Sequence, residues 1–597
     1  MYMNTAKTVK EGVWVVKKST TLSSLTIGEK GSLAAPVGKS LTMTVDGIGT
    51  PIRPGTYKGD IFINVADSLF MQPGGLMRKG KPREYRVGIL VEDGRYVPEK
   101  SVPAIAQGGK VTDKETAGVT IQGLEDNFNG IIVRGDSEYT IERVNIDFEG
   151  NGGNDFIGFG AGIMCLDNAK VTINNSDIHL KSVTRCAVHV GGNSIVTLNN
   201  CRIFNVSPPT DKMKPTWVLG FRGSSRATQL CDYGTVYYNN CYLLGNGWGT
   251  LGVDGGIRVR MFVKDSTVEL KGPRAHGYGA FSIGDCLVSY DHCIVNVQGY
   301  PLLIGGHGTQ QNAEITNGSV INSTRYGVMI FRDSGSELKV NKGSVFNTAS
   351  STFVVKGSNT HLYIDNTYLN PGNGVILQLM DSDEPGMRPA RFLIPIGEVD
   401  VPIKGRDLTV ANPKEDVFMT VSNMAVFGDF YNSTTNLKAN CREKEPAGET
   451  AGLPGMMSGV DMAELTDPSA EGIGDLEAQQ GVKNLDLKFV NAKVKGIISA
   501  ASAEYKDGLK VIDVRNNKEL SNVKQTAHEP INNGVIVSFD KDSIWVVTGT
   551  SYLTSLTVAR GAVIQAPAGK TLSMTVDGMK KEIVPGTYTG KIVMEIA

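Results

Sequence analysis

The sequence predicts an all-β chain: a parallel β-helix solenoid flanked by duplicated β-rich terminal segments. Three observations carry that expectation. A long segment near the start recurs near the end, a short asparagine-bearing motif returns about every 25 residues between them, and 71 of the 597 residues are glycine. A fixed period of this size with strand chemistry is the mark of a repeat architecture.

The terminal duplication comes first. WVVKKSTTLSSLTIGEKGSLAAPVGKSLTMTVDGIGTPIRPGTYKG begins at Trp14, and WVVTGTSYLTSLTVARGAVIQAPAGKTLSMTVDGMKKEIVPGTYTG begins at Trp545. They align without a gap at a constant offset of 531. Val/Thr/Leu alternation broken by Asp46-Gly47, Pro54-Gly55, Asp577-Gly578 and Pro585-Gly586 predicts short strands and tight turns.

The shorter repeat lies between the two copies. It runs TINNSDI at Ile173, TLNNCRI at Leu198, YYNNCYL at Tyr238, FVKDSTV at Val263, SYDHCIV at Tyr290, EITNGSV at Ile315, KVNKGSV at Val340 and YIDNTYL at Ile364. Spacings are 25, 40, 25, 27, 25, 25 and 24, with TIERVNI at Ile141 one turn earlier. Each row follows a second apolar strip, such as GIMCLDN at Gly162 or LLIGGHG at Leu302. A leucine-rich repeat would need its own leucine/asparagine signature and a helix per unit, and neither occurs. A parallel β-helix coil needs short strands joined by bends, with Asn stacked on Asn at one of them.

Over residues 126–430 the chain therefore resembles the right-handed parallel β-helix superfamily, the pectate-lyase-like proteins. The resemblance implies the handedness. It also implies that the asparagine bend is the second turn of each coil, and that the excursions 207–216 and 271–278 sit at the variable third turn. The predicted organisation is an N-terminal β segment at 1–66, a connecting or cap region at 67–125, coils at 126–440, an insertion at 441–482, final coils at 483–540 and a C-terminal β segment at 541–597. The Gly/Pro/Glu-rich insertion reads equally as a mobile loop within a coil or as a linker between domains. An open coil is an exposed edge, so the terminal segments are expected to cap the coils or to join copies into a homo-oligomer.

Composition narrows the function. With 60 basic and 61 acidic residues the net charge is −1, which gives no broad attraction for nucleic acid. No apolar run reaches the roughly 18 residues of a membrane span. The first residues lack a secretory pattern, so a cytoplasmic location is expected, or an extracellular one if a signal peptide has been removed. The eight cysteines form no CxxC pair. Cys201, Cys241 and Cys293 share one repeat position and are expected as stacked, buried thiols.

The candidate chemistry is a set of strand-end residues: Asp254, Asp285 and His307 as catalytic acid–base groups, with Arg222, Arg332, Asp333 and Lys356 as substrate ligands. Two carboxylates and a histidine at fixed separation supply a proton donor and acceptor, and an arginine holds an oxyanion or carboxylate. The order Asp, Asp, Gly-His-Gly, Arg, Lys is similar to that of polygalacturonase-type glycosidases. That similarity implies scissile-bond carboxylates, an assisting histidine and carboxylate-binding cations. This chain departs from the pattern, having Gly252-Val253-Asp254 in place of Asn-x-Asp and Gly284-Asp285-Cys286 in place of Asp-Asp. Trp248, Tyr278, Tyr300 and Tyr326 precede the central strands and offer a ring column for sugar faces, or else an aromatic ladder inside the core. Gly252, Gly284, Gly305 and Gly306 suggest a floor for close substrate approach.

No metal or cofactor is expected, since Asp254 and Asp285 are thin as Ca²⁺ ligands. The expected partner is a hydroxylated small molecule or oligosaccharide, with hydrolase, lyase and isomerase chemistry all open. A non-catalytic binding or adhesion protein is the alternative. Its bland counterpart is that the Asp and Gly residues are solvated turn formers.

Overall fold

The computed structural model describes residues 5–72, 82–153, 155–183, 185–206, 225–247, 249–272, 277–306, 310–330, 335–381, 383, 416–434, 483–506, 519–531 and 533–597. These residues form an all-β protein with long parallel sheets, in which Pro98–Lys100, Pro103–Ile105 and Asp155–Ile157 are three-residue 3-10 turns. Contacts divide the chain into two units, whose described residues are those up to Arg260 and those from Met261 onward.

In the first unit each repeat gives one strand to each of three parallel sets. One set joins Thr120–Gly123, Asn145–Phe148, Asp177–Lys181, Arg202–Val206 and Tyr242–Gly245. A second joins Arg83–Glu92, Phe128–Arg134, Ile163–Cys165, Arg185–Val190, Ser225–Asp232 and Gly249–Lys264. The third joins Glu138–Glu142, Lys170–Asn174, Ile195–Asn199 and Thr235–Asn239. The second unit repeats this plan, for example through Tyr300–Gly306, Val328–Ile330, Phe353–Val355, Val375–Leu379, Asp429–Asn432 and Ile498–Tyr505. The second set thus starts at Arg83–Glu92, inside the stretch read from sequence as a connecting or cap region.

The asparagine row of the repeat is the bend that sets the period. Asn175, Asn200, Asn240, Asp265, His292, Asn317, Lys342 and Asn366 all have φ between 45° and 55°. Asn and Asp tolerate this left-handed conformation because their short polar side chains bond locally. The residues just before it form a ladder: Asn199 Nδ2 donates to Asn174 Oδ1 at 2.9 Å, and Asn239 Nδ2 to Asn199 Oδ1 at 2.9 Å. Asn423 and Asn491 continue the bend in two further repeats. Cys201, Cys241 and Cys293 are buried thiols. Each lies against a carbonyl of the preceding repeat, those of Ile173, Leu198 and Val263.

The terminal copies fold alike. Leu25, Thr26 and Ile27 pair antiparallel with Tyr57, Thr56 and Gly55, and Leu556, Thr557 and Val558 pair with Tyr588, Thr587 and Gly586. Tyr57 donates to the Arg53 carbonyl at 2.8 Å and Tyr588 to that of Val584 at 2.8 Å, pinning the same Pro-Gly turn in each. A core of Val16, Leu22, Leu25, Ile27, Met43, Ile61 and Ile63 fills the first copy.

Candidate functional site

The expected site residues fall in several places. Arg222, Trp248, His307, Arg332 and Asp333 lie outside the described residues. Asp254 belongs to the first unit, where its backbone is part of the strand Gly249–Lys264, and its side chain is not among those described. Asp285 belongs to the second unit, half-buried on the strand Tyr278–Asp291.

Lys356, expected as a surface ligand, is fully buried and ion-paired with the equally buried Asp383. Asp383 also accepts from Ser521 N at 2.6 Å and from the Tyr505 hydroxyl at 2.9 Å. Gln378 donates to the Ser521 carbonyl at 2.9 Å. Ser521, which precedes the strand Val523–Ala527 that pairs antiparallel with Ile498–Tyr505, thus reaches Asp383 and Gln378 of earlier repeats, which a repeat-by-repeat reading does not show.

Tyr278, Tyr300 and Tyr326, read as either a ring column for sugar faces or an aromatic ladder inside the core, are buried as well. Tyr300 and Tyr326 stack on each other at 5.7 Å with Arg325 over both rings, and the Tyr326 hydroxyl donates to the Leu520 carbonyl at 3.3 Å. Their faces are taken up by each other and by Arg325, as in an internal aromatic ladder.

In the first unit one column of side chains runs Leu90, Ile132, Met164, His189, Gln229 and Gly252 on successive strands. It is apolar at its start and polar from His189 on. Arg226 is fully buried, pairs with the buried Asp155 at 3.3 Å and donates to Gln229 Oε1. Gly252 was expected to leave room for a substrate. A Cβ there would lie 2.4 Å from Gln229 Oε1 and 2.7 Å from Arg226 Nη1, so the space already belongs to the protein's own side chains. Burial lowers His189 to about 4, against the pull of Asp232, so the imidazole is neutral at physiological pH. Cys231 Sγ lies 3.7 Å from its Nε2. Gly158 (φ +63°) covers the ring so closely that a Cβ would sit 2.7 Å from it. This cluster is closed to solvent.

An open site occurs elsewhere in the first unit. A cleft of about 430 Å³ separates the N-terminal copy from the first repeats. Ile27, Leu33, Leu41 and Ile52 give it an apolar wall, and Arg53, Arg86, Glu125 and Asp126 face it. Glu125 has only 3% of its surface exposed and pairs with Arg86 at 3.4 Å. Burial pushes its carboxyl up to about 7, against the opposing pull of Arg86. Arg86 is itself braced by the Asp126 carbonyl at 2.7 Å, while the largely exposed Arg53 reaches the Asp126 carboxylate at 3.5 Å. A carboxyl near half-protonation beside the Arg86 guanidinium can give or take a proton, and Arg53 adds a second cation to the same cleft.

The sequence reading missed this site because its parts do not recur. One signal was present: Pro51-Ile52-Arg53-Pro54 faces Glu582-Ile583-Val584-Pro585 in the other copy, so an arginine stands at 53 where its duplicate keeps valine.

Glu125 also sets a pH dependence. Its folded-state value of about 7 lies above the ordinary 4.5, so the folded chain keeps a proton that the unfolded chain has lost. Stability should fall by roughly 3 kcal/mol as pH rises through that window. Glu125→Gln should flatten the slope, read by denaturant unfolding at about pH 5 and pH 8. An unchanged slope would place the titrating group elsewhere.

Among the described residues, no three His, Cys, Asp or Glu side chains converge as metal ligands, and no helix is long and apolar enough to cross a membrane. No protein-family model matches the chain, and no curated protein matches its sequence.

Proposed function

We propose that this chain is a right-handed parallel β-helix protein of the pectate-lyase-like kind. It performs acid–base chemistry on a hydroxylated, acidic small molecule or oligosaccharide held in the Glu125 cleft. The observation that carries the proposal is the buried Glu125 carboxyl beside Arg86 in an open cleft. In this reading Glu125 transfers the proton, Arg53 and Arg86 hold the substrate carboxylate, and the wall of Leu33, Leu41 and Ile52 takes the apolar face of a ring. Hydrolysis, elimination and isomerisation each use such a carboxyl and such cations. The fold assignment is supported by the parallel repeats and the asparagine ladder.

The test is a panel of sugar acids and neutral sugars of matched size, read by calorimetry and by turnover. Sugar acids should bind and neutral sugars should not. Arg53→Val, which installs the residue of the other copy, should weaken binding about tenfold or more. Glu125→Gln should bind but not turn over. Binding without turnover in the unmodified chain would make this a binding protein, and no preference for the acids would end the cleft assignment.

A further inference from the structure

The terminal duplication has a structural consequence that goes beyond the cleft and stands independently of it. Each copy is the same module, yet each is covered on a different side. In the C-terminal copy, Ile544, Trp545 and Val546 pair with Val563, Ile564 and Gln565 on one side, and with Lys493, Val494 and Lys495 of the preceding repeat on the other. Trp545 is fully buried there and donates to the Gly496 carbonyl at 3.0 Å.

In the N-terminal copy the equivalent residues Val13, Trp14 and Val15 pair with Ser32, Leu33 and Ala34 in the same register. Their other edge has no partner strand among the described residues. Val13 is 62% and Val15 45% exposed, and Trp14 is only half-buried, with the Lys7 ammonium 5.0 Å from its ring. The side that a repeat occupies in one copy is open in the other.

The opposite side shows the converse. Gly49 of the N-terminal copy pairs with Gly123 of the following repeat, and its carbonyl accepts from Leu124 N at 2.7 Å. The matching turn of the C-terminal copy is uncovered, with Met579 61% exposed. Val563–Gln565 ends its parallel sheet after Ala425–Phe427, Lys493–Gly496 and Ile544–Val547, and Val563 is 42% exposed.

An apolar, unpaired strand edge invites another strand, and proteins generally blunt such edges with charge. The N-terminal strand carries Lys7, Lys10 and Glu11 in its first part but no charge from Gly12 to Val16. We propose that copies of this chain associate head to tail. Val563–Gln565 of one copy lies parallel against residues 13–15 of the next and continues the sheet in the place that Lys493–Gly496 holds in the C-terminal module. A second copy fits because the last strand already has the direction and sheet position of a successor to Ile544–Val547. Such a contact joins two different surfaces, so it propagates and does not close at a dimer.

The test is light scattering on the full chain as its concentration is raised. Mass should pass beyond that of a dimer without a plateau. Val13→Lys and Val563→Lys change exposed side chains, so each should keep its melting temperature yet run as a monomer. Mixed in equal amounts they should form a dimer and stop, because each retains one intact end. Val15→Lys should repeat the first result if Val13→Lys folds poorly. A chain that stays monomeric at every concentration, a closed dimer, or association untouched by these lysines would overturn the proposal.

Discussion

Lys356→Met is expected to lower stability by about 3–5 kcal/mol, among the largest losses from any single substitution of a charged residue here. Lys356 and Asp383 are both fully buried, and water reaches neither. Removing the ammonium leaves a buried carboxylate stripped of its counter-charge, held by Ser521 N and the Tyr505 hydroxyl among the described residues. Asp383→Asn should also be costly, since it removes the carboxylate charge that pairs with the buried ammonium. The double substitution keeps a side-chain oxygen for Ser521 and Tyr505 and buries no net charge. It should be less damaging than the sum of the singles, and milder than Lys356→Met alone. Denaturant unfolding of the four proteins measures this coupling. Additive losses would show that the two groups do not depend on each other.

This pair also marks where sequence reading reaches its limit. The repeats were legible because their bend imposes a residue choice: a left-handed backbone at Asn175, Asn200 and Asn240 favours Asn, and the preceding Asn rewards stacking with a side-chain ladder. The terminal copies were legible because 531 residues separate two strings that fold into the same hydrogen bonds. Periodicity describes rows and says little about what crosses them. Asp383 pairs with Lys356, and Tyr505 and Ser521 reach that carboxylate from far along the chain, so a position expected to bind substrate became interior. Gly252 was read as a gap, but Arg226 and Gln229 from the preceding strand fill it. Glu125, Arg86 and Arg53 come from three unrelated stretches, and each looks ordinary by itself. The repeated last-strand bends at Asn423 and Asn491 escaped notice because long insertions break the spacing before each of them.

Trp545→Ala should cost about 3–5 kcal/mol, whereas Trp14→Ala in the matching position should cost far less in dilute solution. The two indoles occupy the same place in the same module, which makes the comparison internal. Trp545 is fully buried, stacks on Phe539 at 5.5 Å, and continues a stack in which Phe539 meets Phe489 at 4.9 Å. Truncating it opens a cavity between two repeats and leaves the Gly496 carbonyl without its indole donor. Trp14 pairs only with a strand of its own module among the described residues, so its truncation removes less packing. The difference between the two losses measures what one adjoining repeat contributes to a module. It should shrink as protein concentration rises, because head-to-tail association supplies Trp14 with the neighbour that Trp545 already has. Equal losses at low concentration would mean that the N-terminal tryptophan is already covered, and that its end of the chain is not open.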